Sequence, residues 1–141
     1  MNILISACLL GQYCRYDGQT KGYRQVQDLL GRDDIHLIPV CPEQAGGLAT
    51  PRPPAERQGE RVVTADGTDV TAQYRRGAEA ALYLARLFHC TKAILKEKSP
   101  SCGHGQIYDG TFSRTLTAGD GVTAALLRAE GLEIVGESDL L

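Results

Sequence analysis

The chain has no tryptophan, a single methionine and only two phenylalanines among its 141 residues. It also lacks an excess of either charge: fifteen Lys and Arg stand against seventeen Asp and Glu, a formal net charge of −2. Proteins that hold nucleic acid or an anionic membrane by charge carry a basic excess, so neither is expected as a partner. No apolar run approaches the roughly 18 residues of a spanning helix. The stretch from Ile3 to Leu10 is short, has no basic leader and contains Cys8, which makes it a poor export signal. Low-complexity bias is absent as well, since 16 Gly and 6 Pro supply turns without imposing disorder. These absences point to one soluble cytoplasmic domain over residues 1–141. That length buries roughly two-thirds of the unfolded surface, so the core needs no staples.

Cysteine is the residue that is there in number. Five lie at positions 8, 14, 41, 90 and 102, with no C-x-x-C among them. That spacing excludes a zinc ribbon and a thioredoxin motif. The odd number, in a chain without an export signal, argues against a disulfide scaffold.

Four short apolar runs read as strands covered on both faces: Asn2–Ala7, His36–Val40, Lys92–Lys96 and Leu132–Val135. Pro39 cannot donate to a ladder, so its strand has one free side or ends early. Helical patterns lie between the runs. Val26, Leu29 and Leu30 mark a short helix. Tyr74, Ala78, Ala81, Leu82, Ala85 and Phe88 form a clear apolar stripe, with Asp69 or Thr71 as its cap. Val122, Ala125, Leu126 and Ala129 repeat it, begun by Asp120 and closed by Gly131. This alternation predicts an α/β fold, a three-layer Rossmann-like domain with a mostly parallel sheet. Asp66-Gly67 and Asp109-Gly110 read as type I′ turns of two accessory β-hairpins. The proline- and glycine-rich stretch 42–59 reads as a long functional loop.

Cys8, Cys41 and Cys102 share one structural position, each just past the end of a strand. In an open parallel sheet those ends face one edge, where ligands bind. Three convergent thiolates suit a metal centre with an open position: zinc, copper(I) or an iron–sulfur cluster. His104, two residues after Cys102, is the histidine best placed to join them, whereas His36 and His89 read as ordinary strand or helix-end residues. Cys14 should lie near the site without being a ligand, and Cys90 reads as packing. Glu43, in Cys-Pro-Glu, is placed to activate water or shuttle a proton. Ser99 and Ser101 flank Pro100 and can donate hydrogen bonds to substrate or cluster, or serve the turn. Gly-His-Gly at 103–105 is too short a pattern for a phosphate loop. Arg15, Arg52 and Arg57 are candidates for recognising a substrate oxygen or anion.

Six motifs carry a resemblance. They are Ser-Ala-Cys-Leu-Leu-Gly-x-x-Cys-Arg-Tyr-Asp-Gly at 6–18, Cys-Pro-Glu-x-x-Gly-Gly-Leu at 41–48 and Pro-Arg-x-Pro-Ala-Glu at 51–56. Asp-Val-Thr at 69–71, Lys-x-x-Ser-Pro-Ser-Cys-Gly at 96–103 and Ile-Tyr-Asp-Gly-Thr-Phe at 107–112 complete the set. In this order, over nearly the whole chain, they resemble the DUF523 family, which includes iron–sulfur-dependent 2-thiouracil desulfurase. The resemblance implies a [4Fe–4S] cluster held by Cys8, Cys41 and Cys102, with one iron left open for the sulfur of a thiolated base. It implies acid–base work for Glu43 and substrate orientation for Ser99, with water replacing sulfur to give the oxygen base and hydrosulfide. Some members carry a further domain and act on thiouridine in transfer RNA. No such domain or basic excess is seen here, so the expected partner is a free thiolated base or nucleoside. Two other readings compete: a metal-free enzyme using Cys8 or Cys102 as a thiolate nucleophile through a persulfide, and a non-enzymatic cluster-bearing sensor or carrier.

Overall fold

The computed structural model describes residues 1–20 and 22–140. Its centre is a four-stranded sheet in which every pairing is parallel. The strands are β1 (Asn2–Ser6), β2 (His36–Val40), β5 (Lys92–Leu95) and β8 (Glu133–Gly136), in the order β2-β1-β5-β8. All four apolar runs therefore become strands of one sheet. Their continuous apolarity follows from burial on both faces: Leu4, Ala93 and Leu95 pack on one side, Ile3, Ile5 and Ile94 on the other. Pro39 lies on β2, which among the described residues is an edge strand paired with β1 alone, the kind of position where a residue without an N–H is tolerated.

Helices cover both faces, which gives the three layers. On one face lie α3 (Thr71–Leu87) and α4 (Val122–Ala129), which pack against each other and the sheet through Ala81, Leu82, Ala85, Ala124 and Leu127. On the other lies α1 (Arg24–Leu30), which inserts Val26 beside Ile3 and Ile5. The stripe on α3 is buried as expected from Tyr74 to Ala85. Phe88 falls beyond the helix and is 39% exposed, because the chain has already turned away. Asp69 Oδ1 accepts the Thr71 N–H at 2.9 Å, a capping contact from just outside the helix. On α4 the buried face is Thr123, Ala124 and Leu127, one residue round from the expected stripe. A fully buried hydrogen bond, Ser101 Oγ to Thr123 Oγ1 at 2.8 Å, turns that polar residue inward.

Two antiparallel hairpins sit outside the main sheet, but neither is closed where expected. β3 (Ala55–Gln58) pairs with β4 (Arg61–Thr64) across Gly59. Asp66-Gly67 instead ends a later turn, closed by Gly67 N–H to the Thr64 carbonyl at 2.9 Å. β6 (Gln106–Tyr108) pairs with β7 (Leu116–Ala118), so Asp109-Gly110 opens a longer loop rather than forming a two-residue turn. In both pairs only the glycine has positive φ (88° at Gly67, 93° at Gly110), whereas type I′ needs it at both central residues. The stretch 42–59 is not all loop either: it contains a short helix, α2 (Pro42–Ala45), and β3. Proline at the first helical position accounts for α2, since its absent N–H is not needed there.

Candidate active site

The carboxyl ends of the four parallel strands open onto a cavity of about 460 Å³. From β1 the chain runs into a 3-10 turn, Ala7–Leu10, that presents Cys8. From β2 it passes straight into α2, with Cys41 as the capping residue and Glu43 in the first turn. From β5 it enters the Ser-Pro-Ser-Cys turn. Ser99 Oγ accepts the N–H groups of Ser101 and Cys102, both at 3.0 Å, and so fixes the backbone that carries Cys102. Cys8, Cys41, Glu43, Ser99 and Cys102 all line this one cavity. The sheet edge brings together residues 94 positions apart in the chain, from Cys8 to Cys102.

Cys14 lines it too. Its thiol is buried and in contact with those of Cys8 and Cys41, and the Cys41 thiol donates to the Cys14 carbonyl at 3.6 Å. Cys90 lies in the core beside α3 and away from the cavity, as packing. Ser101 is fully buried and bonded to Thr123, which gives it a structural place. His104 is not in the site. It sits on the outer surface between Arg128, 3.2 Å from Nδ1, and Asp139, 3.5 Å from Nε2. The glycines beside it make no phosphate loop, because Gly105 N–H is already taken by Asp120 Oδ1 at 2.9 Å. Arg15 lines the cavity, while Arg57 is directed to the Asp120 carbonyl at 2.7 Å.

Arg52 is the basic residue that matters most here. It pairs with Glu43 at 2.5 Å and also reaches the Cys14 carbonyl and the Thr50 hydroxyl, each at 3.0 Å. Tyr74 stands beside this pair, its hydroxyl pushed up by burial and by the Glu43 carboxylate. Its place on the apolar stripe of α3 concealed it in the sequence. Lys96, just past β5, pairs with Glu137, just past β8, at 2.8 Å.

Three of the thiols at the cavity, those of Cys14, Cys41 and Cys102, are raised above the ordinary thiol value. Burial and Glu43 push Cys102 up to about 12. Contact with Cys14, burial and Glu43 raise Cys41. At Cys14 the lowering contact with Cys41 is outweighed by Cys8, burial and Glu43, and the thiol rises to about 11. A nucleophilic cysteine needs the opposite environment, so Cys102 is poorly suited to the persulfide role. Thiols that are costly to ionise alone are stabilised as thiolates once a metal supplies the countercharge.

Among the described residues no three His, Cys, Asp or Glu side chains stand close enough to grip a single ion. A four-iron cube spaces its thiolates more widely than a lone ion does. The donor set, soft sulfurs in a cavity with room for a cube and a small ring beside it, fits such a cluster. A family model described as 2-thiouracil desulfurase matches residues 3–139. The chain belongs to that family. It is 43% identical over 148 residues to "Uncharacterized protein YbbK" of Bacillus subtilis (strain 168), covering 98% of this chain and 97% of that protein. A solved structure described as the [4Fe-4S]-dependent thiouracil desulfidase TudS (DUF523Vcz) is 54% identical and superposes with a TM-score of 0.93. The match covers 99% of this chain and 92% of that one. The family's fold is thus the α/β architecture found here. Among the described residues no helix is long and apolar enough to cross a membrane.

Proposed function

We propose that this protein removes sulfur from a thiolated nucleobase such as 2-thiouracil, using a [4Fe–4S] cluster held by Cys8, Cys41 and Cys102. The observation that carries the reading is the convergence of these three thiols, each from a different strand end, on one cavity. Its support is the family and the similarity to a structure described as a [4Fe-4S]-dependent thiouracil desulfidase. When bound, a cluster with one iron free of protein thiolate supplies an electrophilic site for the sulfur of the substrate.

The protein's own residues supply the rest. Glu43, fixed through Oε2 by Arg52, accepts a proton from the water whose oxygen replaces sulfur at the thiocarbonyl carbon; sulfur leaves as hydrosulfide. Ser99 has both lone pairs taken by backbone N–H groups, so its hydroxyl faces substrate only as a donor. The substrate is a free base or nucleoside.

Anaerobic purification, with iron and sulfide analysis and an assay of uracil formed from 2-thiouracil, tests the reading. A brown, turning-over protein is expected. A colourless, metal-free protein that still desulfurates would favour a thiolate nucleophile, and a brown but silent one a sensor or carrier.

A further inference from the structure

The end of one sequence motif, Ala55-Glu56, and the whole of another, Ile-Tyr-Asp-Gly-Thr-Phe at 107–112, find no role in the chemistry above, yet they meet in space. Glu56, on β3, accepts two backbone N–H groups of the β6–β7 loop through Oε1: Gly110 at 3.0 Å and Phe112 at 3.1 Å. Two residues along the same strand, Gln58 Nε2 donates to the Gly110 carbonyl at 2.8 Å. The loop is pressed so close to β3 that a Cβ on Gly110 would stand 2.9 Å from the Arg57 carbonyl oxygen.

The clamp holds unusual backbone. Phe112 has φ of 56° and Arg114 of 60°, the left-handed region that a bulky side chain avoids. Lys98, across the same cavity, has φ of 71°. Such conformations persist where surrounding contacts over-determine them, and they gather at ligand clamps. At Phe112 the over-determining contact is visible: it is the Glu56 carboxylate. Phe112 and Tyr108 line the cavity that Cys8, Cys41 and Cys102 also line. A flat heteroaromatic ring brought to those thiols needs a flat apolar wall, and an aromatic face supplies one at little entropic cost.

We propose that Phe112 is the wall on which the thiolated base stacks, and that Glu56 is the positioning residue that holds it there through the loop backbone. The inference rests on the desulfurase reading and names the residue that binds its substrate ring.

The test combines KM and kcat for 2-thiouracil with the dissociation constant of uracil, measured by anaerobic calorimetry on cluster-loaded protein. Phe112→Leu should raise KM and the uracil constant about tenfold, the scale of base–aromatic stacking. It should leave kcat and iron content unchanged, and Phe112→Tyr should restore binding. Glu56→Ala should give the same rise, whereas Glu56→Gln keeps an accepting oxygen and should change little. The double variant Phe112→Leu/Glu56→Ala should bind no more weakly than Phe112→Leu alone, because both remove one contact.

Unchanged uracil binding in Phe112→Leu, or additive losses in the double variant, would overturn the proposal. Should Glu56→Ala not fold, the Phe112 pair and Glu56→Gln still decide it. A wild-type protein that neither binds uracil nor turns over thiouracil is a failure of the desulfurase reading. Wild-type turnover with a silent Phe112→Leu is a failure of this inference alone.

Discussion

Glu43 and Arg52 meet at 2.5 Å, with side chains only 15% and 6% exposed. Arg52 is tied at the same time to the Cys14 carbonyl and the Thr50 hydroxyl, so the carboxylate of α2 is aimed by contacts from two separate loops. Glu43→Gln keeps the size and hydrogen bonding of the side chain and removes its basicity. Iron content should hold while turnover falls about 10²–10⁴-fold, the usual worth of general acid–base assistance. Arg52→Met should behave differently, because it leaves a mostly buried carboxylate without its cation. A loss of up to ~3 kcal/mol in urea unfolding is expected there, together with the loss of turnover. Near wild-type turnover by the Gln variant would assign the proton to another group.

The thiols divide by position. Single replacement of Cys8, Cys41 or Cys102 with Ala should abolish iron retention and activity together, since a cluster held by two thiolates is exposed and labile. Cys14→Ala should retain the cluster, and Cys90→Ala, in the core beside α3, should do the same with a small loss of stability. Iron and sulfide per chain in anaerobic preparations provide the measurement. Undiminished iron in any of the first three variants would show that residue is no ligand.

Much of this was legible in the sequence because it depends on strand ends. Continuous apolar runs fix the parallel strands, and a parallel sheet places residues 8, 41 and 102 on one edge whatever lies between them. Features set by tertiary contact were not legible. Tyr74 has the spacing of a core residue, and only the docked Arg52 loop reveals its polar surroundings. The hairpins closed at other turns because Asp-Gly signals a bend without specifying which strands it joins. The stripe on α4 was displaced by one residue, since a buried Ser101–Thr123 hydrogen bond outweighs the apolar count. His104 follows Cys102 closely in sequence, but is drawn outward by Arg128 and Asp139.

Raised thiols give the cluster-free protein a distinct pH response. Cys102 is held up to about 12 in the folded state, chiefly by burial, against 9.0 for an ordinary thiol. Between those values the unfolded chain has lost a proton that the folded chain keeps, so stability falls as pH rises. The contribution is complete below about pH 9 and lost through the range up to about pH 12. Cys14, raised to about 11, acts in the same direction. The urea midpoint of cluster-free protein should therefore drop steadily above pH 9, and Cys102→Ala should flatten that drop. A midpoint that is level or rising over this range would contradict the assignment.

Ser99 has a double task, and its removal should show both. Its oxygen accepts the N–H groups of Ser101 and Cys102, so Ser99→Ala orphans two donors in the turn that presents a thiol. Each unsatisfied donor costs about 1–3 kcal/mol when buried. Thermal stability and iron content should fall together with turnover. A variant that lost turnover with stability and iron intact would leave substrate orientation as the residue's whole role.

Cys41 and Glu43 are held in place by the crossing of α2 over α3. Both belong to the start of α2, which crosses α3 so closely that a Cβ on Gly77 would lie 1.9 Å from the Pro42 carbonyl oxygen. On Gly46, at the other end of α2, a Cβ would lie 2.0 Å from the Gln73 carbonyl oxygen. Within an isolated helix, Gly77→Ala would be favourable by about 1 kcal/mol. Here the obstacle is backbone, which cannot swing aside as a side chain can, and overpacking of this kind costs about 1–3 kcal/mol or more. The steric effect should win, with α2 pushed off α3 and its thiol and carboxylate carried out of register with Cys8 and Cys102. Gly77→Ala should consequently lower both melting temperature and iron per chain, while Arg75→Ala, exposed on the same helix, should alter neither. A Gly77→Ala protein that is more stable and fully loaded with iron would mean that helix propensity prevails and the close crossing is not what positions α2.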